Sequence, residues 1–296
     1  MTDDDPIALC LAGRISPEVA LARLLLGGAN PAAVARRVAE RRAPDNANWR
    51  RLDELVSARR GALEELSAMA AEVDHAPFGA APDAAVAAIA ALFDRAVSRA
   101  PEASVAAYSL GDPAILAAAT QEILSWLSAE GLIGRERDVL DLGCGIGRVS
   151  AALAPLCRSV LGLDVSPGMV AEAQRRHGAI SNLHFETTPG TGLDLPGDAR
   201  FDLILAVDSF PYLVQAGAAV AERHLADAAR LLRPGGAFAI LNLSYRGDPA
   251  LDRADAARWA AGGWTLSRNG VAPFTLWDGL AFLLRRPGQC GASGQK

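Results

Sequence analysis

The chain has 296 residues, 51% of them hydrophobic, and a formal net charge of −5. That length supports one large or two smaller globular domains with a substantial core, and the negative balance offers no basic field to nucleic acid or anionic lipid. The only lysine is Lys296, which excludes Schiff-base chemistry from a buried lysine.

Cys10, Cys144, Cys157 and Cys290 show neither CxxC spacing nor the density of a disulfide scaffold, and read as reduced thiols of a cytoplasmic protein. The start, MTDDDP, is acidic, and no apolar run reaches the roughly 18 residues that a membrane span needs. Neither secretion nor membrane insertion is expected.

From the N-terminus to about Pro101 the pattern is helical. Ser16 before Pro17 opens a helix that stops at Gly27 and Gly28, and Asn30 before Pro31 opens a second that ends near Pro44. A longer helix is predicted from Asn46 to Asp74, with Trp49, Leu52, Val56, Leu63, Leu66, Ala70 and Val73 along one face. Arginine pairs at 36/37, 41/42, 50/51 and 59/60 alternate with Glu40, Asp53, Glu54, Glu64 and Glu65, the pattern of a solvated face rather than a nucleic-acid surface. The apolar stripe fits a core, with a homodimer contact through these helices left open as an alternative. Residues 75–83 read as a loop and Ala84 to Ala100 as a further helix, so residues 1–103 are expected to form a helical domain that covers a substrate or mediates oligomerisation.

Residues 104–296 read differently. Asp112 and Pro113 cap a helix, Ala114 to Glu130, and Val139 to Arg148 (VLDLGCGIGR) then gives a buried strand, a glycine turn and the start of a helix to Leu156. Ser159 to Val165 gives a second strand closing on Asp164, about 20 residues after the first glycine, where a ribose-binding acid belongs. Gly143, Gly145 and Gly147 form GxGxG, whereas a dinucleotide fold wants its third glycine at the place of Arg148. Asp141, two residues ahead of the loop, would repel phosphate but suits an ammonium group. A ligand with ribose, no phosphate and an amino-acid tail is S-adenosylmethionine.

In VLDLGCGIGR (139–148), LGLDVSPGMV (161–170), FDLILAVDSFPYL (201–213) and LLRPGGAFAILN (231–242), taken in this order, the sequence resembles the class I S-adenosylmethionine-dependent methyltransferases. The resemblance implies an α/β, Rossmann-like, seven-stranded and mostly parallel sheet of order 3-2-1-4-5-7-6, beside the all-helical N-terminal domain. It implies cofactor contacts from Asp141, Gly143, Cys144, Gly145, Gly147, Asp164, Val165, Met169 and Asp208, with Tyr108 as a lid residue or, equally, an aromatic anchor between domains. After the third strand, Leu183 to Thr187, the family usually has an acid for the adenine amino group. This chain has Thr188, Pro189, Gly190 and Thr191, so Thr188 and Gly190 become the adenine candidates, with Asp194 reaching back as an alternative.

The fourth strand is predicted at Phe201 to Asp208. A helix from Ala218 to Leu232 should stop at RPGG, and the fifth strand should run from Ala237 to Ser244. The tail from Gly263 supplies the closing hairpin.

Methyl transfer from a sulfonium needs positioning more than acid–base help. Asp208, at the end of strand four, is the candidate to orient or deprotonate the acceptor, with Tyr212 as a second catalytic candidate; a helix cap is the bland alternative for Asp208. Phe210, Tyr212, Tyr245, Phe274 and Trp277 are candidates for an acceptor pocket. His75, His177, His184 and His224 lack metal-ligand spacing and read as surface or capping residues, so no metal is expected. The function expected is methyl transfer to oxygen or nitrogen of a small molecule (EC 2.1.1.-). A silent cofactor-binding sensor or scaffold, a protein methyltransferase and a nicotinamide-dependent oxidoreductase stand as alternatives.

Overall fold

The computed structural model describes residues 5–70, 81–198 and 200–287. The chain divides into two compact units, Met1–His75 with Leu92–Ser125 and Phe274–Asp278, and Ala76–Ala91 with Trp126–Pro273 and Gly279–Lys296.

The first unit is built from helices whose starts are set by local chemistry. Proline at the first position fixes φ and removes an N–H that would lack a partner, while the preceding polar side chain accepts one of the remaining N–H groups. Thus α1 (Pro6–Leu11), α2 (Pro17–Leu26) and α3 (Pro31–Glu40) follow Asp5, Ser16 and Asn30, each accepting a backbone N–H. Asn46 caps α4 (Ala47–Ala58) through Asn48 N and Trp49 N. In α2 all residues but Arg23 and Leu26 are buried, so this helix is the centre of the unit; Ile7, Leu52, Leu55, Leu63, Leu66 and Leu110 close around its Leu21 and Leu25.

The single helix expected over 46–74 is two. It breaks at Arg59, which leaves helical geometry at φ −115°, ψ 26°, and restarts as α5 (Arg60–Ala70); residues 71–74 lie outside the described residues. Gly61 follows, a poor helix residue, and the Arg59 guanidinium pairs with the Asp112 carboxylate. The bend lets Leu52 and Leu55 on one side and Leu63 and Leu66 on the other reach the same core. Three more helices follow, α6 (Pro82–Arg99), α7 (Pro101–Val105) and α8 (Pro113–Ala129), the last capped by Asp112 to Ala114 N at 2.8 Å.

The second unit carries one seven-stranded sheet. In chain order its elements are β1 (Asp138–Leu142), α9 (Arg148–Leu153), β2 (Ser159–Asp164), α10 (Pro167–His177), β3 (Leu183–Thr187), β4 (Phe201–Val207), α11 (Phe210–Ala216), α12 (Ala218–Leu231), β5 (Leu232–Leu241), α13 (Pro249–Ala260), β6 (Thr265–Val271) and β7 (Ala281–Arg285). The strand order is β3-β2-β1-β4-β5-β7-β6, parallel except for the pairings of β7, which is the order expected. Every residue of β1 is buried, as a central parallel strand covered on both faces requires. Phe210, Phe238 and Phe282 fill the core, with Phe210 edge-on to Phe238 at 5.9 Å and to Trp259 at 5.7 Å.

Three local expectations are corrected. RPGG does not stop a helix ahead of the fifth strand: α12 ends at Leu231, and Pro234, Gly235 and Gly236 lie within β5, where pairing with β4 shifts register between Phe201 and Leu203. The paired glycines absorb that bulge. Helix α13 was not anticipated, although Asp248 before Pro249 is the same cap signal that opens α1. His224 is fully buried, not a surface residue; it sits on the inner face of α12 with Val220, Ala221, Leu225 and Ala228, its Nδ1 2.8 Å from Val220 O. Among the described residues no helix is long and apolar enough to cross a membrane.

From β3 the chain returns past β2 and β1 to place β4 on the far side of β1. At such a reversal the connections leave the sheet in opposite directions and open a crevice beyond the carboxyl ends of β1 and β4. The motif residues converge there.

Candidate functional site

The turn after β1 alternates left-handed glycines: φ is +74° at Gly143, +54° at Gly145 and +77° at Gly147. Side chains are barred as well as strained, since a Cβ on Gly143 would lie 2.2 Å from Ser209 Cβ and one on Gly147 2.6 Å from the Phe185 ring. The amides of this turn are engaged by the protein itself. Gly143 N and Cys144 N donate to Leu163 O at 2.7 and 2.9 Å, Gly147 N to Cys144 O at 2.9 Å, and Gly145 N to Asp164 Oδ2 at 2.9 Å. A pyrophosphate cradle needs such amides pointing at the ligand. Here a carboxylate faces one of them, and the donor set suits hydroxyls and cations rather than phosphate.

Asp164 ends β2 and is buried; Gly145 N holds its Oδ2 and Ser166 N its Oδ1, both at 2.9 Å. Ser166 in turn caps α10 through Met169 N at 3.0 Å, which seats buried Met169 in the first turn. Asp141 lies one strand away, 2% exposed, with Ser150 Oγ donating to its Oδ2 at 2.5 Å. Burial pushes the Asp141 carboxyl up to about 6, Asp164 adds to that, and the Ser150 hydrogen bond and the Arg148 charge offset part of it. Cys144 is buried in the turn, and burial with the two nearby carboxylates raises its thiol well above the ordinary value, which argues against a nucleophile.

Beyond β3, Thr188 N donates to Asp164 O at 2.9 Å, tying this loop to the end of β2. Gly190, at φ +77°, is pressed against Val165: a Cβ there would meet Val165 Cγ1 at 2.3 Å and Val86 Cγ1 at 2.7 Å. Thr188, Gly190 and Val165 therefore come together beside Asp164. Asp194 instead pairs with Arg223 at 3.1 Å.

The aromatic candidates divide between the units. Tyr108, Phe274 and Trp277 cluster in the first, with ring centroids 6.1 Å apart for Tyr108 and Trp277 and 5.1 Å for Phe274 and Trp277. Phe210 is taken by the sheet core. Tyr212 and Tyr245 pack edge-on at 5.4 Å near the end of β4.

Asp208 follows β4 with φ +57°, and Asn242 follows β5 with φ +74°. The Asn242 amide donates to Asp208 Oδ1 at 2.8 Å and the Tyr245 hydroxyl to the same oxygen at 2.9 Å. Burial and the Asp208 charge raise both the Tyr212 and Tyr245 phenols, which keeps them protonated as donors. Asp208 is not the helix cap: Ser209 holds that position in α11, and its hydroxyl donates to Leu142 O at 2.5 Å, closing β4 onto β1. Ser150, Ser209 and Asn242 escaped the sequence reading. Only Ser166 before Pro167 left a cap signal.

Residues 139–236 match the model of the methyltransferase domain family. The chain is 34% identical over 109 residues to a demethylmenaquinone methyltransferase of Tropheryma whipplei, an alignment covering 36% of this chain and 42% of that protein. It is 33% identical over 127 residues to the O-methyltransferase cnsE of Penicillium expansum, covering 41% and 43%. The chain thus spans less than half the length of these curated relatives. Among solved structures, phosphoethanolamine N-methyltransferase 1 of Haemonchus contortus, in complex with phosphoethanolamine and S-adenosylhomocysteine, shares the fold with a TM-score of 0.56 at 16% identity, over 73% of this chain and 52% of that one. The family match over β1 to β5 and the strand order identify residues 139–236 as a methyltransferase domain, similar in fold to the class I S-adenosylmethionine-dependent methyltransferases.

Proposed function

We propose that the chain catalyses S-adenosylmethionine-dependent methyl transfer to an oxygen or nitrogen of a small-molecule acceptor. The observation that carries this reading is the doubly held Asp164 carboxylate facing a glycine turn whose amides are engaged. Asp164 would take the ribose hydroxyls, Asp141 the amino-acid end, and Thr188, Gly190 and Val165 the adenine, with Met169 behind them.

When bound, the cofactor would supply a sulfonium methyl group for transfer, with S-adenosylhomocysteine as the neutral thioether leaving group. Asp208 would orient the acceptor heteroatom and take its proton, passing it on to solvent. Holding the partners in line accounts for most of the acceleration, about 7 to 11 kcal/mol in favourable cases.

Calorimetric titration with S-adenosylmethionine and S-adenosylhomocysteine tests the cofactor assignment, and transfer of a labelled methyl group to hydroxyl- and amine-bearing metabolites tests the reaction. Saturable binding that Asp164→Ala abolishes is expected. Binding that is absent, or indifferent to Asp164→Ala, would refute the proposal; saturable binding with no transfer to any metabolite or protein pool would favour a sensor.

A further inference from the structure

Among the described residues, the non-glycine positions with left-handed backbone are Leu110, Asp208 and Asn242. The last two share the second unit and end neighbouring parallel strands, β4 and β5, on the carboxyl side where the glycine turn also lies. Left-handed backbone costs free energy for any residue with a Cβ, and such residues persist where their surroundings hold them and where function uses them. Each position is pinned by its backbone, with Asp208 N donating to Leu241 O and Asn242 N to Leu280 O, both at 2.8 Å. The side chains then turn toward each other, and Asn242 Nδ2 and Tyr245 OH converge on one oxygen of Asp208. Tyr245 also donates to Asp208 O at 3.2 Å, and Tyr212 abuts it edge-on. Asp208 is only half-buried, so this fixed carboxylate is within reach of solvent.

A carboxylate needed merely to cap a helix or balance a charge would not require two neutral donors from another strand end. Two such donors fix the plane of the carboxyl group, and an acceptor-only group held still at the end of a central strand selects a ligand that brings a hydrogen. We infer that Asn242 and Tyr245 are positioning residues that hold Asp208 to receive the X–H of the methyl acceptor, so that the acceptor is a neutral hydroxyl or an amine and not a carboxylate or phosphate. This rests on the methyl-transfer reading given above. An anionic reacting group would meet Asp208 without a hydrogen to share, and like charges at contact disfavour binding.

The test uses the full chain saturated with S-adenosylhomocysteine and four probes on one ring skeleton: catechol, benzylamine, benzoate and phenyl phosphate. Binding is measured by ligand-observed NMR titration, independently of turnover. Catechol or benzylamine should bind at millimolar concentration and the two anions at least about tenfold more weakly, as expected for loss of a charge-assisted hydrogen bond. Two variants separate positioning from folding. Asn242→Gly keeps the left-handed backbone without strain but removes the amide, and Tyr245→Phe keeps the ring but removes the hydroxyl. Both should weaken the donor probes about five- to tenfold while S-adenosylhomocysteine affinity stays within about twofold. Preference for benzoate or phenyl phosphate, no binding by either donor probe, or wild-type probe affinity in both variants would overturn the inference. A wild-type chain that fails to bind S-adenosylhomocysteine condemns the methyl-transfer reading instead, and this inference with it.

Discussion

Replacing Asp141 by Asn should make the ligand-free protein more stable near neutral pH while weakening its hold on the cofactor. The carboxyl is buried and its proton affinity rises from an ordinary 3.8 to about 6. Each tenfold change in proton affinity is about 1.4 kcal/mol, so keeping this group ionised in the folded state costs on the order of 3 kcal/mol. The folded chain binds the extra proton between pH 3.8 and about 6, so wild-type stability falls as pH rises through that window and stays low above it. Asn cannot ionise, yet its Oδ1 can still accept from Ser150 Oγ. Urea denaturation of ligand-free wild type and D141N should therefore show the variant ahead by up to about 3 kcal/mol above pH 7, with the gap shrinking toward zero near pH 4. Calorimetry should show S-adenosylmethionine affinity reduced about tenfold or more, because the ligand ammonium loses its counter-charge. A D141N chain that is less stable than wild type at neutral pH, or that binds the cofactor equally well, would refute both the electrostatic account of Asp141 and its placement in the site.

Other changes probe neighbouring features. Asp164→Asn presents an NH2 to one of the two backbone donors, Gly145 N or Ser166 N, and should cost about 1–3 kcal/mol in chemical denaturation and about 10- to 100-fold in S-adenosylhomocysteine affinity by calorimetry. Gly143→Ala combines φ +74° with a Cβ 2.2 Å from Ser209 Cβ; thermal denaturation should show a loss of about 2–4 kcal/mol, and Ser209→Gly in the same chain should restore the space but not the backbone strain. His224, buried with a lowered proton affinity and with Nε2 lacking a hydrogen bond, must give up its proton to fold, so stability falls as pH drops through 6.5; His224→Gln should flatten that limb of the denaturation-midpoint profile.

The features legible in the sequence were those with one local cause. Proline after a polar cap marked α2 and α3, alternating glycines marked the turn, and an apolar run closing on an acid marked β2 and Asp164. What stayed hidden depended on distant partners. Nothing near Arg59 in the chain announces Asp112, 53 residues on, which it meets at the break between α4 and α5. Nothing near Gly143 tells that its missing side chain makes room for Ser209. Asn242 reads as an ordinary strand residue until β5 lies beside β4, when its backbone turns left-handed and its amide reaches Asp208. RPGG was misplaced because proline and glycine signal the end of a helix and a bulge in a strand with the same letters.

Strand β1 places the two uses of a buried carboxylate three residues apart. At its start, Asp138 is hydrogen-bonded by Arg158 Nε at 2.8 Å, Ser159 Oγ at 2.6 Å and Arg233 at 2.8 Å, and Arg233 also spans to Asp202 at 2.6 Å. Arg158 above all, with the Ser159 and Arg233 bonds, holds the Asp138 carboxyl far below the usual carboxylate range despite its burial. Such a group favours the folded state at neutral pH over low pH, because its ionised form is held by partners within the protein. Near the other end of the strand, burial dominates at Asp141, and the serine hydroxyl and the Arg148 charge only partly counter it. Selection for stability alone would favour arginines at both ends, or a neutral residue at the second. A carboxylate kept at a cost, beside a second carboxylate that raises the cost further, is the arrangement expected where the compensating positive charge arrives with a ligand. The asymmetry along one strand therefore sets a carboxylate compensated by the protein, Asp138, against one that is not, Asp141, and it supports the proposal that Asp141 meets the cationic end of the cofactor.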